Sequence, residues 1–464
     1  MSRAALIRAK FAAGPISVMC GLALFFIASA AVQAQIIERQ VAGVWIDADG
    51  ILRNVERDEL NKLRQVMQAS LTRIPGELSE MAELRKVSLR RLAAAIAESN
   101  LKGSELPDDI KYLAGLQRIR YVFVYPEEQD IVLAGPGEGW TINEQGEVVG
   151  ITTGKPVLLL DDLLVALRSA EPARQVGISC SIDPTSEGLQ RVKKLISGLK
   201  TIGNPSETLA SIEQTLGQQM ITVTGVPADS HFARVIVAAD YKMKRLAMNF
   251  DKAPVKGMPS YLELVKGTSR GMQNMLPRWW LAPSYGALLA DPDAMAWELR
   301  DAAVKVVAEE DFLTESGSRE RSGKASAMVR KWADNMTAHY SELSQKDVVF
   351  AQLRNCIDLA VVAALITKEN LIQKAGHSMP VLMDSSRLTT VSFHAPRQVP
   401  SQASVFRRGR NWIISASGGV QIESWAVAEK QESGQLAPTR TAALTGKPAA
   451  SSANTAKSTR WWWN

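Results

Sequence analysis

The chain predicts an α+β or mixed α/β protein, and three observations carry that expectation. Short runs of β-branched and aromatic residues recur, as in Tyr121-Val122-Phe123-Val124-Tyr125, residues 176–182 and residues 221–226. Stretches of helical spacing alternate with them. After residues 221–226, for instance, Phe232, Ile236, Ala239, Met243 and Leu246 form one apolar stripe, with Lys242, Lys244 and Arg245 off it. Two consecutive strand–loop–helix units, 176–199 and 221–248, imply a small parallel or mixed sheet covered by helices. The 464 residues suffice for two or three folding units, and 46% hydrophobic with 22% charged residues is an ordinary globular composition.

The first 34 residues stand apart. Arg3, Arg8 and Lys10 precede an apolar run at 18–32, and Val32-Gln33-Ala34 supplies small or apolar residues at −3 and −1. This pattern predicts a signal peptide cut after Ala34, hence a bacterial protein secreted to the periplasm or cell envelope with no membrane span left after cleavage. An uncleaved anchor is the competing reading. Removing the leader lowers the formal charge from +6 to +3, a surplus too small to argue for nucleic acid. Cys180 and Cys356 survive maturation. One disulfide and two buried thiols both remain open, because a bridge needs Cα atoms within about 7 Å.

In the mature chain, an N-terminal helix and hairpin region is expected over 35–170. Val44-Trp45-Ile46 and Ile51-Leu52 read as a hairpin turning at Asp47-Ala48-Asp49-Gly50. A calcium loop would need a ligand where Ile51 stands and a Gly where Leu52 stands, so the turn is the better reading. Residues 57–99 suggest two helical pieces broken at Pro75-Gly76, with Arg85, Lys86, Arg90 and Arg91 on a solvated face. Strands follow at 121–125 and 131–134, then a hairpin from 139–142 to 148–151. Gly135, Gly137 and Gly139 lead into more strand and not into a helix, so no phosphate loop is predicted. Residues 161–167 begin a helix.

Residues 171–427 carry the two β-α units, a helical pair at 325–343 and 348–375, and C-terminal strands. The loops Asp183-Pro184-Thr185-Ser186 and Pro227-Ala228-Asp229-Ser230-His231 would share the rim beyond the strand ends, where ligands bind in parallel sheets. Met295 to Phe312 fits a hairpin or a helix. The very apolar run at 359–366 is too short to cross a bilayer and reads as a core helix. Residues 428–464 are expected to be a disordered tail, ending in Trp461-Trp462-Trp463, an interfacial or partner-binding tag in one reading.

No complete catalytic or cofactor motif is found. The sequence has no G-x-S-x-G elbow. Ser197-Gly198-Leu199-Lys200 matches S-x-x-K without a following K-T-G and falls at a helix end. His231, His339, His377 and His394 show no metal-ligand spacing, so no metal and no cofactor are predicted. Asp229-Ser230-His231 cannot form a triad, since successive side chains at a helix start diverge by about 100°. A capped helix is the plain reading. In the sharper one His231 is a general base or ligand contact, helped by Asp183 or Asp229. Thr185, Ser186, Ser230, Trp279 and Trp280 are the ligand-binding candidates, the tryptophans as a sugar platform held between Pro277 and Pro283 or else as core packing.

Gly43-Val44-Trp45-Ile46-Asp47, Tyr121 to Pro126, Ser179-Cys180-Ser181-Ile182-Asp183-Pro184-Thr185, residues 221–248, Arg278-Trp279-Trp280-Leu281 and Leu353-Arg354-Asn355-Cys356 carry a resemblance. With them, residues 41–427 resemble a family of exported planctomycete proteins known as a domain of unknown function. That resemblance implies export and a shared fold and supplies no activity. The expected function is a non-catalytic binding or structural protein of the envelope, its partner an envelope polymer or protein. The alternative is a hydrolase of envelope material with its site at Asp183, Asp229 and His231.

Overall fold

Residues 77–99 do not form a single helix. In the computed structural model they divide at Ser88, into β1 (Ala82–Ser88) and α1 (Leu89–Leu101). The Ser88 hydroxyl caps the helix by accepting from the Arg91 amide at 3.0 Å. Arg85 lies fully buried on β1, its guanidinium donating to the carbonyls of Leu78, Glu80 and Ala114. The expected solvated basic face is therefore corrected at Arg85 and Lys86: strand pairing on both edges overrides their helical propensity. The structure describes residues 40–41, 43–55, 64–69, 71–72, 74–198, 205–266, 275–301, 303–313, 319–321, 323–402, 406–408, 411–413, 415–448 and 460–464. The expected leader with Ala34 and the S-x-x-K lysine lie outside them.

The fold is mixed α+β, as predicted. β1 shares a sheet with β2 (Tyr121–Tyr125) and β3 (Asp130–Gly137), both found where the apolar runs predict them. Seven described strands order as Gln431–Ser433, Leu288–Ala290, Ala296–Glu298, β2, β3, β1 and Trp462–Trp463. The hairpins at Val44–Ile46 with Leu52–Asn54 and at Trp140–Ile142 with Val148–Gly150 also form as expected. At the first turn Asp47 Oδ1 accepts from the amides of Asp49 and Ile51, which is turn chemistry.

Helix α2 (Leu160–Ser169) leads into the second sheet, which begins with β4 (Ile178–Pro184). Then come α3 (Ser186–Gly198), α4 (Pro205–Leu216) and β5 (Gln218–Thr224). β4 and β5 are neighbours, but they run antiparallel, with Asp183 opposite Met220 and Ser179 opposite Thr224. One helix between two strands returns the chain to make a parallel pair. Here α3 and α4 form a two-helix hairpin with its own small core of Leu189, Val192, Ile212 and Leu216, and the second helix reverses the direction. The sheet is mixed, one of the two arrangements expected, but the antiparallel pairing of β4 with β5 puts the two loops at opposite strand ends, so the expected shared rim is overturned.

The remaining strands of this sheet include β6 (Met275–Ser284) and β7 (Ser417–Ile422). Its described order is Arg319–Arg321, Ala303–Leu313, β6, β7, β4, β5 and Gln398–Pro400. Among the pairs, only β6 with β7 is parallel among the described residues. Residues 296–298 and 303–313 are strands of different sheets, so Met295 to Phe312 is neither the hairpin nor the helix expected.

Three long helices cover this sheet. α5 (His231–Ala247) packs on β4 and β7, α6 (Ala327–Lys346) packs on the strand Ala303–Leu313, and α7 (Val348–Lys368) packs against α2, α5 and α6. By length and hydropathy α7 is apolar enough to cross a membrane, yet 94% of its apolar window is buried inside the protein. It is the core helix that its sequence predicts.

The C-terminal region differs from the disordered tail expected over 428–464. Residues 424–448 form the helices Ser424–Glu429 and Ala437–Ala443 with the strand Gln431–Ser433 between them. Trp462 pairs with Val87 and Trp463 with Lys86 on β1, and all three tryptophans are buried. The low-complexity composition misleads here because three large aromatic side chains supply the apolar area that the rest lacks.

Candidate functional site

α5 starts where the sequence predicts. Ser230 is its N-cap, its Oγ accepting from the Ala233 amide at 3.1 Å and donating to the Pro227 carbonyl at 2.7 Å. This cap places His231 at the first helical position, and there the ring meets α2. Nδ1 lies 3.0 and 2.9 Å from the two oxygens of Asp162. A carboxylate only accepts, so Nδ1 carries the proton and Nε2 is the nitrogen left for another partner. Burial pulls the His231 pKa down, but the Asp162 carboxylate outweighs it and holds the imidazole above its usual 6.5. The neighbouring Asp161 carboxyl is pushed up, by burial first and then by the Asp162 charge.

His231 and Asp162 line a cavity of about 160 Å³. Its polar wall continues with Glu147, from the hairpin Trp140–Ile142/Val148–Gly150, and with Gln352 and Asn355 from the first half of α7. Gln352 Nε2 donates to Glu147 at 2.6 Å, and Asn355 Nδ2 donates to the Pro156 carbonyl at 3.2 Å. These bonds fix which end of each amide is nitrogen. The two amide oxygens have no hydrogen-bond partner, although Gln352 is 7% and Asn355 5% exposed. An unmet buried acceptor costs about 1–3 kcal/mol, so two on one cavity wall are unusual. Val148, Val157, Leu159 and Phe393 form the apolar part.

The other predicted residues are dispersed. Asp229 is near His231 in the chain but turns outward, accepting from the Ser392 hydroxyl at 2.7 Å, while its carbonyl accepts from the Phe393 amide. It thereby holds the loop that sets Phe393 against His231, ring centroids 6.3 Å apart. Asp183 sits opposite Met220, at the end of β5 away from residue 229, so it does not join them. The Thr185 hydroxyl accepts from the Gly188 amide and caps α3, and Ser186 is exposed beside it.

Trp279 is fully buried, edge-on to Tyr261 and tilted against Trp332, with its Nε1 donating to Val329. It is core, not a sugar platform. Trp280 is half-buried under the Arg278 guanidinium. Cys180 and Cys356 are both free, buried thiols, with burial pushing each pKa well up. Of the two alternatives for this pair, the unbridged one is observed.

Sequence reasoning missed Asp162, Glu147, Gln352 and Asn355. The legible signal was Gln352, Asn355 and Asp358, spaced by three along a mostly apolar helix, which puts polar groups on one buried face. Asp358 uses its place structurally, accepting from Arg118 and Tyr285. Glu147 follows a turn glycine, where acidic residues are ordinary, and carried no signal.

Residues 180–261 match a family model described as Protein of unknown function (DUF1598). The matched segment runs from β4 through α5 and contains His231, while the other polar cavity residues come from outside it. No curated protein and no solved structure matches the chain significantly. Among the described residues, no group of three or more His, Cys, Asp or Glu side chains is placed to hold a metal ion.

Proposed function

We propose that this chain is an exported, envelope-associated binding protein whose ligand site is the cavity between α2, α5 and α7. The observation that carries the reading is the His231–Asp162 pair on a wall shared with two unpartnered amide oxygens. A cavity with a few convergent polar groups and perturbed titratable side chains has the build of a small-molecule site. Export rests on Arg3, Arg8 and Lys10, the apolar run after them and the Val32-Gln33-Ala34 end of the leader.

Filling the cavity tests the reading. In Val148→Phe a ring replaces a half-buried side chain of the lining. Low-molecular-weight extract of an envelope fraction should raise the thermal midpoint of the wild-type chain and leave Val148→Phe unmoved. Equal shifts in the two proteins, or none in either, would refute the site.

A hydrolase is the second reading, favoured by one feature: Asp162 orients His231 and leaves Nε2 for a substrate or water. In this reading His231 acts as the general base and a water molecule is the nucleophile. Such a reaction would centre on His231 and Asp162 instead of Asp183 and Asp229.

A further inference from the structure

The hydrogen bonds around the cavity leave it with donors as well as acceptors. Gln352 Nε2 is taken by Glu147 and Asn355 Nδ2 by the Pro156 carbonyl, so each of these amides has only its unpartnered oxygen left for a ligand. Two donors line the same cavity. His231 gives its Nδ1 proton to Asp162, and the imidazolium that Asp162 favours carries a second proton on Nε2. Burial, and then the Asp108 charge, pushes the Tyr112 pKa up to about 12, so its hydroxyl keeps its proton. Charge is already matched: His231 pairs with Asp162, Glu147 accepts from Gln352 and has a further partner, and no Lys or Arg is among the described lining residues. An ionised ligand of either sign would be desolvated there without a free counter-charge, which is costly.

We infer that the cavity takes a small neutral primary carboxamide, its NH2 group donating to the oxygens of Gln352 and Asn355 and its carbonyl accepting from His231 Nε2 and the Tyr112 hydroxyl. A carboxamide has two N–H donors and two carbonyl lone pairs, which match two acceptors and two donors. A hydroxyl brings one donor and leaves an amide oxygen unmet, an ammonium group brings no acceptor, and a carboxylate brings no donor. Gln352 and Asn355 stand three apart on α7, where side chains are neighbours about 5–6 Å apart. Two N–H bonds leaving one nitrogen reach acceptors roughly 5 Å apart, which suits that spacing. The hydrocarbon part of the ligand then lies against Val148, Val157 and Phe393. The volume of about 160 Å³ is close to that of an apolar cavity of ~150 Å³ that holds benzene, so the bound part has roughly six heavy atoms. This inference rests on the binding reading above and adds the ligand class.

Four probes of nearly equal size and shape test it: n-butyramide, 2-pentanone, sodium butyrate and n-butylamine, titrated calorimetrically into the full chain near pH 6. His231, held above its usual 6.5, then carries both ring protons, butyrate is ionised and butylamine is protonated. 2-Pentanone keeps the carbonyl of butyramide and has a methyl in place of the NH2 group. Butyramide should bind at least tenfold more tightly than 2-pentanone, and neither ion should bind. Tyr112→Phe should weaken both carbonyl probes, whereas Gln352→Met should weaken butyramide alone and bring it towards 2-pentanone, with circular dichroism confirming that both variants fold. The comparison of the four probes on the wild-type chain needs no variant. If 2-pentanone or either ion binds as well as butyramide, or Gln352→Met leaves butyramide unchanged, the carboxamide class is overturned while the binding site survives. If none of the four binds, the carboxamide class falls, and the site falls with it if envelope extract also fails to shift the wild-type midpoint.

Discussion

His231 is the residue at which three separate local preferences meet. Ser230 caps the helix behind it, Asp162 from α2 fixes its tautomer, and Phe393 closes one side. The Asp162 charge holds its pKa above the usual 6.5 against the opposing pull of burial. A raised histidine contributes stability that is fully present below about 6.5 and is lost as pH rises through the folded value. In urea unfolding from pH 6 to 9, the wild-type chain should therefore lose its advantage over His231→Gln as pH rises above 6.5. A stability difference independent of pH would show that the Asp162 pair does not govern the titration. The cap at Ser230 and the helix start were legible from sequence, because a cap is a local interaction among adjacent residues. The Asp162 partner was not, since the contact spans 69 positions and α2 had no visible tie to α5.

At the scale of elements, the direction of β5 follows from the number of helices before it. Residues 186–199 read clearly as one helix, but α4 carries a weaker pattern, and overlooking it exchanges an antiparallel pair for a parallel one. That single count moved Asp183 to the far end of the sheet from Asp229. The close approach of β7 to its neighbours is the other element-level constraint. A Cβ on Gly419 would sit 1.8 Å from the Cys180 carbonyl oxygen, and one on Gly418, at φ +106°, 2.0 Å from that of Trp279. Gly419→Ala should thus lower stability by about 3 kcal/mol or more, because backbone on the adjacent strand must shift. Gly154, at φ +64° with open space around it, should cost only about 1 kcal/mol on the same change. Equal denaturation midpoints for the two variants would contradict the packing of β7 between β4 and β6.

At the scale of the whole molecule, the two sheets draw their strands from distant parts of the chain. The first sheet combines residues 82–137 with 288–298, 431–433 and 462–463. Its outermost strand is the chain end, where the Trp463 indole donates to the Ala443 carbonyl and Asn464 Oδ1 accepts from Arg85. Trp463→Ala should cost about 3 kcal/mol, at the low end for a buried tryptophan, since a two-residue edge strand is held on one side only. Wild-type stability in Trp463→Ala, measured by thermal or urea unfolding, would mean that the strand contributes nothing to the fold.

The sequence by itself determined the elements whose causes are local. The hairpin turns, the strands 121–125 and 130–137, the α5 cap and the buried α7 each follow from periodicity, capping or turn chemistry within about twenty residues. Tertiary structure decided which polar residues face one another, and these come from four segments separated by tens to hundreds of residues. Only the packing of α2, α5 and α7 brings Glu147, Asp162, His231, Gln352 and Asn355 to one wall. It also decided that Arg85 is buried and that the chain end is a strand, because both depend on partners supplied from elsewhere in the molecule.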